Sequence, residues 1–192
     1  FYYCIKLESV VIPDSVKSIG NDAFAHCVAL TSVQMPANLQ TIGQEAFYNC
    51  QGLTEVALPD SVKTIGIRSF SRCVNLTQLN LPDDIQDLGN DAFSETKLEV
   101  LTIPKSMTEI PNYMFSNMSS LKEIQIPDTV TSIGYGAFSN CTSLKEVVIP
   151  DSVVSMDKQL FLGCTSLTNV QLPSKTETIS YRMFEGCSSL KS

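Results

Sequence analysis

The pentapeptide "GNDAF" at 20–24 returns unchanged at 89–93, sixty-nine positions later in a chain of 192 residues. Sixty-nine is three times twenty-three, so fixed self-similarity is the first thing to test, because a repeat architecture overrides any local reading. Every phenylalanine lies on that interval: Phe1, Phe24, Phe47, Phe70, Phe93, Phe115, Phe138, Phe161 and Phe184, a spacing of twenty-three broken once by twenty-two. Prolines follow at Pro13, Pro36, Pro59, Pro82, Pro104, Pro127, Pro150 and Pro173, with only Pro111 out of step. All seven cysteines stand three residues after a repeat Phe, with Thr96 and Met118 in the two vacant places. The unit reads L-x-x-V-x-I-P-D-S-V-x-x-I-G-x-x-A-F-x-x-C-x-x and runs from Leu7 to Leu190.

Such a chain is one quasi-one-dimensional stack whose stability comes from contacts between neighbouring units. Residues 1–192 are therefore expected to form a single repeat domain of about eight units. Both ends cut through a unit, which suggests an excerpt of a longer protein. The net charge of −7, without any Lys/Arg cluster, argues against nucleic acid and anionic membranes, whose electrostatics call for a basic face. No run approaches the ~18 apolar residues of a spanning helix, so direct membrane insertion by this segment is not expected.

Within a unit, "LTSVQMP" at 30–36 alternates like a strand with one buried face, Leu30, Val33 and Met35 pointing inward. Proline has no N–H to donate and stops pairing there, and the following "PDS" is turn chemistry. In "VKSIG" at 16–20, Val16 and Ile19 turn inward and Gly20 allows a bend; Asn21 or Asp22 is placed to cap a short helical turn carrying Ala23, Phe24 and Cys27 on its inner face. The expectation is an α/β solenoid: a curved array with a parallel concave sheet and short helical turns on the convex side. Strands stack ~4.8 Å apart whereas packed helices want ~8–10 Å, and that mismatch would supply the curvature.

The segments "LTSVQMPANLQTIGQEAFYNC", "LKEIQIPDTVTSIGYGAFSNC" and "LKEVVIPDSVVSMDKQLFLGC" resemble the BspA-like, treponemal class of leucine-rich repeats, and the resemblance covers essentially the whole chain. It implies a surface-exposed protein of the kind found in bacteria and some protists, located at the cell surface or extracellular, with adhesion to host matrix or cell-surface proteins as the associated role.

Candidate chemistry is sparse. His26 is the only histidine, so no Ser-His-Asp, Cys-His or multi-histidine metal constellation can be assembled, and enzyme activity, cofactor and metal site are not expected. His26 itself falls at an outward position and reads as solvated surface. The cysteines contain no C-x-x-C and share one inner slot, which favours buried free thiols; convex spacing of ~8–10 Å would also exceed the ~4.4–6.8 Å Cα separation of a disulfide, which a locally tight stack would still permit. Asp14, Asp60, Asp83, Asp128 and Asp151 form a column after the strand prolines, broken by Ala37, Lys105 and Ser174, for which turn chemistry is favoured over calcium. Three sequons, at Asn75, Asn117 and Asn140, are about what chance supplies.

What remains is the row that the sheet leaves free to vary. The second and fourth residues after each repeat leucine should project from the concave face. The candidate binding positions among them are Glu55, Gln78, Asn80, Val100, Thr102, Glu123, Gln125 and Glu146. The row is polar to acidic and lacks the aromatic anchors of tight interfaces. A protein ligand held by weak, multivalent contact is the leading expectation; a structural building block of a larger assembly is the alternative, and a catalytic part outside this segment a third. One region departs from the frame: "ETKLEVLTIPKSMTEIPNYMFSNM" at 95–118 loses a residue before Leu98 and puts Pro111 where Gly belongs, which predicts a local kink.

Overall fold

The computed structural model describes residues 1–191; Ser192, the last residue of the expected domain, lies outside them. Each unit but the last contributes two very short strands, and like strands of successive units lie side by side. The first ladder takes β1 (Ser9–Val11), β3 (Ser32–Gln34), β5 (Glu55–Val56), β7 (Gln78–Leu79), β9 (Val100–Thr102), β11 (Glu123–Gln125), β13 (Glu146–Val148) and β15 (Asn169–Gln171). The second takes β2 (Ser18–Ile19), β4 (Thr41–Ile42), β6 (Thr64–Ile65), β8 (Asp87–Leu88), β10 (Glu109–Ile110), β12 (Ser132–Ile133) and β14 (Ser155–Met156). Every pairing is parallel and joins residues one repeat apart, as in Ser9↔Ser32 and Thr41↔Thr64. The chain is a parallel β-solenoid of about seven turns.

The strand reading holds in its alternation. Val56, Leu79, Leu101, Ile124 and Val147 are buried between exposed neighbours, and Leu30, Leu53, Leu76, Leu98, Leu121, Leu144 and Leu167 are buried at their ladder position. The expectation of short helical turns does not hold: the described residues contain no helix, and 21–26 and its counterparts are runs of turns. The reason lies in where the N–H groups go. In a helix they would bond backwards within the segment. Here every second N–H bonds forward to the next unit: Asp22 N–H to Gln44 O at 2.9 Å, Phe24 N–H to Ala46 O at 2.8 Å and His26 N–H to Tyr48 O at 2.8 Å. The N–H groups in between close i→i−3 turns, as from Cys27 to Phe24 O at 3.1 Å. To aim alternate amides along the stack, the residues two before and two after each Phe take positive φ, for example Arg68 at 54° and Arg72 at 63°. That conformation is uncommon for non-glycine residues and is most tolerable for Asn and Asp.

The forward-bonded turns form a third ladder, which also corrects the spacing. Phenylalanine rings of successive units stack nearly flat, with centroids 5.2 Å apart for Phe24–Phe47, 5.3 Å for Phe47–Phe70 and 5.5 Å for Phe138–Phe161. The turns therefore repeat at almost the strand spacing of ~4.8 Å instead of at ~8–10 Å, and the expected cause of strong curvature is gone. In the later units glycine has a further task, although at Gly20 a Cβ would meet nothing within 4 Å. A Cβ on Gly66 would lie 2.5 Å from Gln44 N, and one on Gly89 would lie 2.2 Å from Ile67 N, so the residue is small because the neighbouring unit's backbone sits against it.

Two stability predictions follow. Phe70 is fully buried between Phe47 and Phe93, so Phe70→Ala should cost about 3–5 kcal/mol in urea unfolding, visible as a lowered midpoint. Gly66→Ala meets backbone on one side with no way to relax except by spreading two units, and should cost about 1–3 kcal/mol in the same experiment.

Candidate functional site

All eight candidate positions lie on one exposed face, because each belongs to or directly follows a first-ladder strand whose alternate residue is buried. Glu55 stands opposite Gln78, Val100 opposite Glu123, and Thr102 opposite Gln125; Glu146 stands opposite Asn169. Asn80 follows β7 and is exposed. Two open grooves run across this face. One of about 600 Å3 is lined by Thr31, Ser32, Thr54, Glu55, Thr77, Gln78 and Asn80 and reaches Val100. The other, of about 570 Å3, is lined by Lys122, Glu123, Ser143, Lys145, Glu146, Ser166 and Thr168. The first carries one charge among amides and hydroxyls, while the second sets a Lys column beside a Glu column. Lys122 is held by Glu99 at 2.6 Å, with both side chains more than half exposed, so that pair adds little to stability. Thr102 and Gln125 project from the same face but line neither groove.

The other candidate groups have structural work. Asp14 Oδ1 accepts the Ala37 N–H at 3.0 Å and Asp151 Oδ1 the Ser174 N–H at 2.7 Å, so these carboxylates clamp the turn of the next unit. The Ser174 N–H holds the Asp151 carboxyl below its ordinary range. Asn21 accepts from the Gln44 N–H, Asn90 from the Asn112 N–H and Asn112 from the Tyr135 N–H, a second column of side-chain clamps. Asn21 was expected to cap a helix; its target is the neighbouring unit.

His26 is a correction. It is half-buried, its ring lies flat on Tyr3 with centroids 4.4 Å apart, and its Nδ1 meets Asn49 Nδ2 at 3.0 Å. The row continues through Arg72, whose Nε reaches both Glu95 carboxylate oxygens at 3.2 Å and whose guanidinium lies 3.4 Å from the Tyr48 hydroxyl. These contacts are made between units about 5 Å apart, a proximity that the helical expectation concealed.

The seven cysteines are free, and Cys27, Cys50, Cys73, Cys141 and Cys164 are buried. Distance is not what keeps them apart, since the turns repeat at ~5 Å. Every thiol but that of Cys4 donates instead to the carbonyl of the preceding unit's Phe, as Cys50 Sγ does to Phe24 O at 3.0 Å and Cys164 Sγ to Phe138 O at 3.0 Å. Burial pushes the Cys73 and Cys164 thiols up to about 12 from an ordinary value of 9.0. A raised folded pKa means that the native chain keeps protons that the unfolded chain releases. Stability contributed by these thiols is therefore complete below pH 9 and is lost as pH rises toward 12. Cys73→Ala should flatten the decline in urea midpoint between pH 8 and pH 11 relative to the parent; an unchanged slope would show that this thiol is not shielded.

The model of the BspA type leucine rich repeat region matches residues 1–122 and 108–192, six copies in all. The chain belongs to that family. A leucine-rich cell surface protein of Faecalibacterium prausnitzii is 27% identical, with a TM-score of 0.67 over 96% of this chain and 66% of that one. The leucine-rich-repeat protein of T. pallidum is 28% identical, with a TM-score of 0.67 over 87% of this chain and 68% of that one. A leucine-rich-repeat protein of Eubacterium ventriosum, 23% identical over 99% of this chain and 60% of that one with a TM-score of 0.51, shares the fold. This BspA-type chain thus spans about two thirds of the first two structures it resembles. No curated protein matches it at the level of sequence. Its family and solenoid architecture are those of binding modules, and the three solved structures named above are bacterial.

Proposed function

We propose that the chain is the recognition segment of a cell-surface protein and holds a protein partner on the open face of its first ladder. The observation that carries this reading is a division of labour within the unit. Inward positions repeat the same Leu, Ile, Phe and Cys because neighbouring units must fit them, while the outward positions of the first ladder change from unit to unit and are all exposed. Stacking fixes the frame and leaves this face free to be chosen for contact. The residues assigned to it are Glu55, Gln78, Asn80, Val100, Thr102, Glu123, Gln125 and Glu146. The description of the Faecalibacterium relative as a cell surface protein supports the location, and adhesion to a host protein or a neighbouring cell is the finer role we assign.

Without aromatic anchors, affinity comes from many modest polar contacts along the array. Glu123 and Glu146 stand at equivalent positions of adjacent units, in the second groove. The double variant E123K/E146K should lower binding of the purified array to intact cells or matrix proteins at least tenfold and leave the melting temperature within about 2 °C. A second pair with the same charge change away from the face, D128K/E177K, should leave binding unaltered. Equal binding by both variants and the parent removes the open face from consideration. Amine labelling of unbroken source cells with a membrane-impermeant reagent tests location: Lys145 should be tagged without lysis.

A further inference from the structure

We propose that the array is two rigid blocks, units 1–4 and units 5–8, joined at 95–111 by a hinge whose pin is the turn side of the stack.

The second ladder runs unbroken from β2 to β8 and again from β10 to β14, yet β8 and β10 do not pair. Its repeating bond from the residue after the strand is present at Gly66 N–H to Ile42 O, Gly89 N–H to Ile65 O and Gly134 N–H to Ile110 O, each at 2.8 Å. At the junction the donor is Pro111, which has no N–H to give to Leu88 O. The companion bond, Thr131 N–H to Thr108 O at 2.8 Å, likewise has no counterpart from Thr108 to Gln86 among the described residues. The core loosens at the same place. Phe93 and Phe115 make no stack, and the step just before the junction, Phe70 to Phe93 at 6.0 Å, is the widest of the stacked ones. The thiol link across the junction is missing as well, because Met118 in the cysteine slot has no donor for Phe93 O, which accepts instead from Thr96 Oγ1 of its own unit.

On the turn side the link persists. Asp91 N–H still reaches Asn112 O and Glu95 N–H still reaches Ser116 O, both at 3.0 Å; of the three forward bonds that cross other junctions, only that of Phe93 is missing. Asn90 also keeps its clamp on the Asn112 N–H at 3.1 Å. Away from the turn side the junction keeps only isolated bonds, Lys97 N–H to Leu76 O at 3.0 Å and Ser106 Oγ–H to Ile85 O at 2.8 Å, with no strand pair, so it bends about the more densely bonded turn edge. The missing residue before Leu98 is the cause, since a unit one residue short cannot meet all of its neighbour's ladders at once. The hinge crosses the first groove between Asn80 and Val100, which is 60% exposed, and so sets the angle between the rest of that groove and the second. It requires no partner, so it stands or falls separately from the binding role.

Residue-resolved amide hydrogen exchange on the whole chain tests it. Phe93 and Thr108 should exchange at least tenfold faster than their counterparts Phe70 and Thr131, while Asp91 and Glu95 stay as protected as Arg68 and Arg72. Equal exchange at Phe93 and Phe70 and at Thr108 and Thr131 overturns the hinge. Loss of protection at Asp91 and Glu95 together with Phe93 overturns it too, because that pattern is local unfolding and leaves no pin. The variant P111G restores an N–H facing Leu88 O and should slow Thr108 at least threefold; an unchanged or faster rate contradicts the role given to Pro111.

Discussion

The forward hydrogen bond from every second turn amide to the next unit is the constraint on which the rest of this structure depends. It uses three N–H groups per unit, it works only when successive turns stand about 5 Å apart, and it makes the turn side of the solenoid a ladder with nearly the pitch of the sheets. Buried amides must find partners, and here they find them along the stack axis, which is why the units are stable as an array and would have little reason to keep this conformation alone. The flat phenylalanine column, the thiol-to-carbonyl links and the glycine with backbone against it all follow from that pitch.

Much of this was legible in the repeat itself. The period, the inward Leu, Ile and Phe positions, the buried free thiols and the exposed row came directly from spacing, because solenoid neighbours impose the same demand at every turn. "GNDAF" contained more than the period. Gly89 is small because Ile67 presses on it, Asn21 and Asn90 each accept an N–H of the next unit, and Asp22 and Asp91 both adopt positive φ. What the sequence did not disclose was the direction of the amides. A run such as Asn21–Cys27 is polar-capped and amphipathic and so is consistent with one helical turn, and nothing within a single unit distinguishes bonding backward from bonding forward. The helix, the wide convex spacing and the solvated His26 were one error with three consequences. The irregular unit was visible as a lost residue and a displaced proline, although which edge stays bonded was visible only in three dimensions.

For the candidate site, the sequence marked the face, and the grooves divide it. A half with one carboxylate, Glu55, among Thr, Ser, Gln and Asn side chains adjoins a half of paired Lys and Glu columns, and the loosened junction crosses the first between Asn80 and Val100. Such a surface suits recognition by extended polar contact, whose strength is set by how many units are engaged at once. Stability rests on the inward residues, and the proposed recognition draws on the outward ones, which are exposed and outside the core.

Scalar coupling across hydrogen bonds, measured by NMR on labelled protein, tests the forward ladder most directly. The account predicts a coupling from the Phe70 amide nitrogen to the carbonyl carbon of Ala92, repeated from Arg68 to Asn90 and from Arg72 to Ser94. Coupling of the Phe70 amide to the carbonyl of Gly66, the partner it would have in a helical turn, would contradict it.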